Sequence, residues 1–331
     1  MENKTYLALQ RERNFGDKIN ATFEFIKQNF KPLMTSLLYI PGPLIAISAV
    51  FYVMFMDDYF RNIGGAIQGG TDFSFDFIGY MVAFMVVSGL SYVLLTVVIL
   101  EYVNIYNERK DAVISVEEVW ARTKKSFSGA FGATFLLFLT YIAFVGVFGF
   151  FFVIMARGQA GGMVALSAFL LIFVVIYLVI SLSLFFNILI NEKRSVGQFI
   201  EILKRCFFLI KGKWWSTFGL IIIVSLIRSS ITGILQIPVG ASQIAQLIPA
   251  IMNEQVPTAE MIQQAPWQIA YQAIVFIIGT LLNIIVVVAI TFQYFNLVER
   301  RESAGLMEQI RQVGDTGTKS STNDAEHDED Y

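Results

Sequence analysis

Six stretches of this chain carry almost no charge, and each is long enough to cross a lipid bilayer. The uncharged runs are 32–56, 77–100, 126–156, 158–191 and 261–298, and a further run, 214–253, is interrupted only by Arg228. A helix needs about 20 apolar residues to span a hydrocarbon core. The first run follows some thirty polar and amphipathic residues, which sets it apart from an N-terminal signal peptide. Charged residues make up 15% of the chain, against about 25% in soluble domains. The expected class is therefore an all-α, polytopic membrane protein with six transmembrane helices.

The chain holds one Cys (Cys206) and one His (His327). A disulfide within the chain is excluded. So is a structural zinc site, which needs several such ligands. No cofactor is expected.

A unit recurs three times. Each copy opens on a helix cap: Asn14 with Asp17, Ser115 with Glu118, and Ser195 with Gln198. These are capping-box spacings. Each copy closes on an asparagine followed by basic residues: Asn104 before Arg109–Lys110, Asn187 before Lys193–Arg194, and Asn296 before Arg300–Arg301. Between cap and exit lie a short amphipathic stretch and two apolar runs. The spacing predicts three tandem hairpins, each preceded by an amphipathic interfacial helix, with pseudo-repeats 14–110, 115–194 and 195–302. Matching apolar positions are Phe15, Val116 and Val196; Ile19, Trp120 and Ile200; and Ile26, Phe127 and Phe207. Residues 1–13 read as a flexible lead-in and 14–303 as the membrane domain. The acidic stretch 304–331 reads as a disordered cytoplasmic tail.

The apolar runs predict spans near 33–56, 78–103, 129–155, 164–190, 215–236 and 268–297. Pro41 and Pro43 should kink or interrupt the first. The fifth should end near Pro238, with a separate amphipathic helix over 241–252. Asp57, Asp58, Asp72 and Asp76 read as a solvated acidic loop, because their spacing fits no EF-hand. Glu101, near an inner helix end, is expected to reach water or pair with Arg109.

Lys and Arg are distributed unevenly. The segments 1–32, 107–127, 191–213 and 299–331 hold 21 of the 24, whereas the alternate loops hold Arg61 and Arg157. The positive-inside rule then places both termini in the cytoplasm, N-in/C-in.

Two polar residues fall deep in the last two spans. Arg228 lies roughly 21 Å along its helix from Trp214, and Asn283 roughly 21 Å from Leu297, at 1.5 Å per residue. In an antiparallel pair they are level. With Ser229 and Ser230 they form a candidate intramembrane polar site suited to an anionic group such as a lipid phosphate. The competing reading has Arg228 snorkelling to the outer headgroups. Asn104, Asn187 and Asn296 are candidate helix-end residues that cap or cross-link at the inner face. No Walker loop, HExxH, GxSxG or paired-carboxylate signature is present, and no enzyme is expected.

The entry Arg11-Glu-Arg-Asn-Phe-Gly-Asp-Lys-Ile-Asn-Ala-Thr-Phe-Glu-Phe-Ile-Lys-Gln-Asn-Phe-Lys-Pro32 resembles the start of poorly characterised bacterial six-helix membrane proteins. These are similar to the membrane domain attached to some glycerophosphoryl diester phosphodiesterases. The resemblance covers about 10–302, without the phosphodiesterase barrel, and supplies no catalytic residue. It implies the bacterial inner (plasma) membrane. The expected function is a scaffold or accessory subunit of a membrane complex. The alternative is a transporter or lipid-handling protein with a site between hairpins near Arg228 and Asn283. Expected partners are membrane lipids and other membrane proteins or a second copy, with no nucleic acid.

Overall fold

Three local signals start three helical segments. Asn14 is extended and its N–H donates to Asp17 Oδ2 at 3.3 Å; Glu118 N donates to Ser115 Oγ at 3.3 Å; Ser195 N donates to Gln198 Oε1 at 3.1 Å. Each bond occupies a donor that the first turn leaves without an intrahelical partner. A computed structural model describes residues 7–67, 75–109, 114–157, 161–253 and 263–302. Regular structure among them is helical throughout: α1 (Phe15–Tyr39), α2 (Gly42–Ile67), α3 (Phe75–Arg109), α4 (Val116–Arg157), α5 (Gly161–Leu182), α6 (Phe185–Asn191), α7 (Phe199–Ile210), α8 (Trp214–Met252), α9 (Pro266–Leu281) and α10 (283–302). Among the described residues, six stretches are long and apolar enough to span a membrane: Gly42–Ile63, Phe75–Arg109, Val116–Ile154, Leu166–Asn191, Trp214–Ala250 and Pro266–Glu302.

Packing runs from α2 to α3, α3 to α4, α4 to α5, α5 to α8, α8 to α9, and from α9 back to α2. The buried core gathers Phe25 and Leu33 of α1, Leu95 to Leu100 and Tyr102 of α3, Phe185 and Ile188 of α6, Cys206 of α7, and Ala289 and Phe292 of α10. The far halves of α4 and α5 stand largely outside this core, with Phe135, Phe138, Val145, Phe169 and Phe173 exposed.

Several expectations change. The first amphipathic stretch does not stop before the first span. It continues through Pro32 to Tyr39 as one helix, with Ser36 Oγ donating to the Pro32 carbonyl at 3.0 Å. The interruption comes at Ile40–Pro41, as the proline pair predicts. Pro43 then sits in the first turn of α2, where a missing N–H costs nothing. The helix predicted to end near Pro238 runs on to Met252. Tyr271 of α9 donates to the Leu235 carbonyl at 2.8 Å, and Gln268 donates to Ser242 Oγ at 2.7 Å, so a neighbour supplies hydrogen bonds beside the proline. The last span is divided instead by a turn at Leu282.

Asp57 and Asp58 are helical rather than in a loop, and Asp57 pairs with Arg61 one turn away at 2.8 Å. Asp72 lies outside the described residues, as does the tail. Among the described residues, no cluster of His, Cys, Asp and Glu is fit to hold a metal ion.

The lead-in to α1 is docked from residue 7 onward. Leu9 is buried, Leu7 N donates to Tyr106 Oη at 2.9 Å, and Arg13 N donates to Asn296 Oδ1 at 2.7 Å. The inward face of α1 is mixed, while Asp17, Glu24, Lys27 and Lys31 remain exposed. Lys18, Ala21, Thr22, Phe25 and Asn29 are buried, whereas Phe15, Phe23 and Phe30 are exposed.

Candidate functional site

Three polar clusters interrupt the apolar body. The first holds Arg228 and Asn283. α9 ends at Leu281 in the middle of an apolar span; the Leu282 N–H reaches the Ile278 and Thr280 carbonyls, and a helix end leaves further carbonyls to side-chain donors. Asn283 Nδ2 donates to Gly279 O at 3.3 Å and Thr280 O at 3.0 Å. Arg228 Nη1 approaches the same Gly279 carbonyl at 3.5 Å. Its positive charge also lies at the negative end of the α9 dipole. The two residues thus converge on one carbonyl rather than on each other. Close approach is possible because residue 279 is glycine: a Cβ there would lie 3.2 Å from Thr232 Cγ2. Ser229 and Ser230 are exposed on α8, and among the described residues no hydrogen bond joins either side chain to Asn283.

The second cluster lines a cavity of about 430 Å³ between α3, α4 and the end of α6. Glu101 is buried there and accepts from Ser126 Oγ at 2.5 Å. Of the two expected outcomes, water or Arg109, the pairing is not formed: Arg109 meets Glu118 at 2.9 Å. Arg122 grips Glu108 through both terminal nitrogens, at 2.9 and 2.6 Å. Asn104 lines the same cavity, with Lys125, Lys193 and Arg194 at its rim. Asn187 is buried one helix away and receives the Asn191 amide on its backbone carbonyl at 2.9 Å. The three exit asparagines therefore do different work: Asn104 faces a cavity, Asn187 is held within α6, and Asn296 pins the chain before α1 through its bond from Arg13 N.

The third cluster is one that sequence reading passes over. Lys18 is 2% exposed, and its Nζ donates to Gln293 Oε1 at 2.6 Å and reaches Ser216 Oγ at 3.3 Å. Gln293 in turn donates to Thr217 Oγ1 at 2.8 Å. Burial, then Arg300 and Lys213 nearby, lower the Lys18 pKa to about 8. The sequence signal is the spacing of Lys18, Thr22 and Asn29 along one helical face.

A thiol nucleophile finds no support in this geometry. Cys206 is fully buried, and burial pushes its thiol up to about 12, so it carries no useful thiolate near neutrality. Comparison with known proteins gave no matching family, no matching curated protein and no matching solved structure.

Proposed function

We propose that this is a non-enzymatic multi-pass protein of the bacterial inner membrane that serves as a scaffold or accessory subunit, with the α4–α5 pair receiving a span of another membrane protein. The observation that carries this reading is the burial of α4. The most apolar window of that span has none of its residues buried inside the protein, whereas the corresponding window of Phe75–Arg109 has 39%. In lipid, helices associate through close packing and hydrogen bonds rather than by escape from water. A span that packs so little within its own chain keeps that packing for another. Gly146 and Gly149 support this, because a Cβ at either would meet nothing within 4 Å. Glycines of this kind let a second helix approach closely.

The finer arrangement belongs to the same proposal: three tandem hairpins about a pseudo-threefold axis, N-in/C-in, each entered through an amphipathic helix. Side-by-side packing of α2 with α3, α4 with α5, and α8 with α9 supports the hairpins. The Lys and Arg distribution supports the orientation. The likeness to bacterial six-helix membrane proteins rests on residues 11–32. Arg228 and Asn283 fit a scaffold as caps of a mid-span helix end, since their donors point at the Gly279 carbonyl.

A photo-crosslinking amino acid at Phe138 or Val145, in the full chain at its native expression level, tests the reading. A discrete protein adduct is expected from both positions and not from exposed Ile47 of α2. Gly146→Leu should abolish the adduct without lowering the amount of protein, because its own fold leaves that space open. Adduct patterns that are the same at all three positions, or unaffected by Gly146→Leu, would overturn it. An adduct of twice the chain mass would identify the partner as a second copy.

A further inference from the structure

A cavity of about 460 Å³ opens where α8 begins and α10 ends. Lys211, Lys213, Arg300 and Arg301 line it, with Glu12 as the one acid among the described lining residues and Phe208 as an apolar wall. The turn between α7 and α8 builds it. Gly212 has φ +77, a left-handed conformation that glycine adopts at no steric cost, and a Cβ there would meet open space. That turn leaves Lys211 and Lys213 exposed on either side of a bare backbone.

The remaining cations are held in place. Arg301 Nη2 donates to the Lys211 carbonyl at 2.5 Å, and its guanidinium lies over the Phe208 ring, 4.6 Å from the centroid. Arg300 Nε is buried without a hydrogen bond, and its nearest acid, Glu12, is 3.6 Å away. Arg205, close by, is already committed to Glu192 and Glu302 at 2.9 and 2.6 Å. The pocket thus carries four positive charges against one negative, and buried Lys18 feels this field through Arg300 and Lys213.

Its position matters as much as its charge. Candidate spans begin at Trp214 and end at Glu302, so the cavity sits at a membrane surface. Trp215 is exposed beside it, as interfacial tryptophans are. Basic pockets between span ends at such a surface recognise anionic headgroups.

We propose that the cavity bounded by Lys211, Lys213, Arg300 and Arg301 binds a phosphate-bearing anion, the phosphate of an anionic membrane lipid. Lys211 and Lys213 supply mobile charge at the mouth. Arg300, whose Nε pairs with Glu12 only at 3.6 Å and makes no hydrogen bond, supplies a directed donor inside. Phe208 and Leu297 bound the site on its apolar side. The inference does not depend on the scaffold reading.

The test titrates the delipidated full chain, in non-ionic detergent, with phosphatidylglycerol, phosphatidylcholine and inorganic phosphate. Saturable binding of phosphatidylglycerol, at least tenfold tighter than of phosphatidylcholine, is expected. At about 1 kcal/mol per cation, Lys211→Gln with Lys213→Gln should weaken it about thirtyfold. Glu12→Gln removes the one opposing charge and should tighten binding about fivefold by the same measure, a gain that misfolding does not produce. Saturable binding of inorganic phosphate with the same response to the variants, and no preference for the lipid, would support the site and make its ligand a soluble phosphate. Failure of both ligands to saturate, or affinities unmoved in both variants, would overturn the proposal.

Discussion

Gln293→Leu is expected to destabilise the protein by about 3 kcal/mol, the scale of leaving a buried charge without its partner. Lys18 is almost fully enclosed, and among the described residues no carboxylate pairs with it; its closest support is the 2.6 Å bond to Gln293. Leucine removes that acceptor and leaves the ammonium with the longer bond to Ser216 at 3.3 Å and the Phe15 ring 5.8 Å away. Thermal unfolding in detergent should show a fall in Tm of about 5–10 °C. The double variant Lys18→Met with Gln293→Leu should regain most of the loss, because removing both partners leaves no buried charge to satisfy. A double variant as unstable as the single one would refute this account of the cluster.

The same lysine sets a pH dependence. Its folded pKa is depressed to about 8 from the ordinary 10.5, chiefly by burial. Between those values the unfolded chain binds more protons than the folded one, so stability rises with pH across that window. Below pH 8 both states hold the proton, and the full cost of burying the charge is present. The difference in Tm between the native chain and Lys18→Met should therefore shift in favour of the native chain from pH 8 to 10. A constant difference would contradict it.

Phe25→Ala is the second large effect, at about 3–5 kcal/mol. The ring is 0% exposed and meets Tyr106, Phe292 and Tyr102 edge-on at centroid distances of 5.0, 6.2 and 6.4 Å. Edge-to-face pairs add about 0.5–1.5 kcal/mol beyond buried area. Alanine would open a cavity where α1, α3 and α10 meet. Phe25→Leu keeps most of the volume and should cost under about 1.5 kcal/mol. Equal losses in the two variants, read by thermal unfolding, would show that the aromatic cluster does not hold these helices together.

The six apolar stretches and the three helix starts are legible in the sequence because each depends on local signals. An uncharged run of span length has few alternatives, and a cap needs only its own next turn. Helix ends at prolines are less legible. Pro238 reads as a break, yet it lies inside a helix, and the Tyr271 hydroxyl beside it is effective only once α9 is packed there. Glu101 illustrates the same point. Arg109 is near it in sequence, but Ser126 of α4 reaches it, and that depends on which helix lies alongside.

The inward face of α1 was the hardest to read. Lys18 and Lys27 are alike as letters, and an amphipathic pattern does not say whether its polar side meets water or protein. Lys18 is buried while Lys27 is exposed, and Phe25 is enclosed while Phe15, Phe23 and Phe30 are exposed, so one face of α1 buries polar and apolar groups together. The Arg228–Asn283 cluster was legible as a pair at one depth. That both address the Gly279 carbonyl follows from the turn at Leu282, which no proline or glycine at that residue announces.

The account rests on six crossings that leave Ser115 and Ser195 on one side of the membrane and Asn253 on the other. Single cysteines at these exposed positions, in a Cys206→Ala background, can be labelled with an impermeant maleimide in intact and in opened cells. Asn253→Cys should react in intact cells, and Ser115→Cys and Ser195→Cys only after opening. Labelling of Ser115→Cys and Asn253→Cys from the same side would contradict the six-span arrangement.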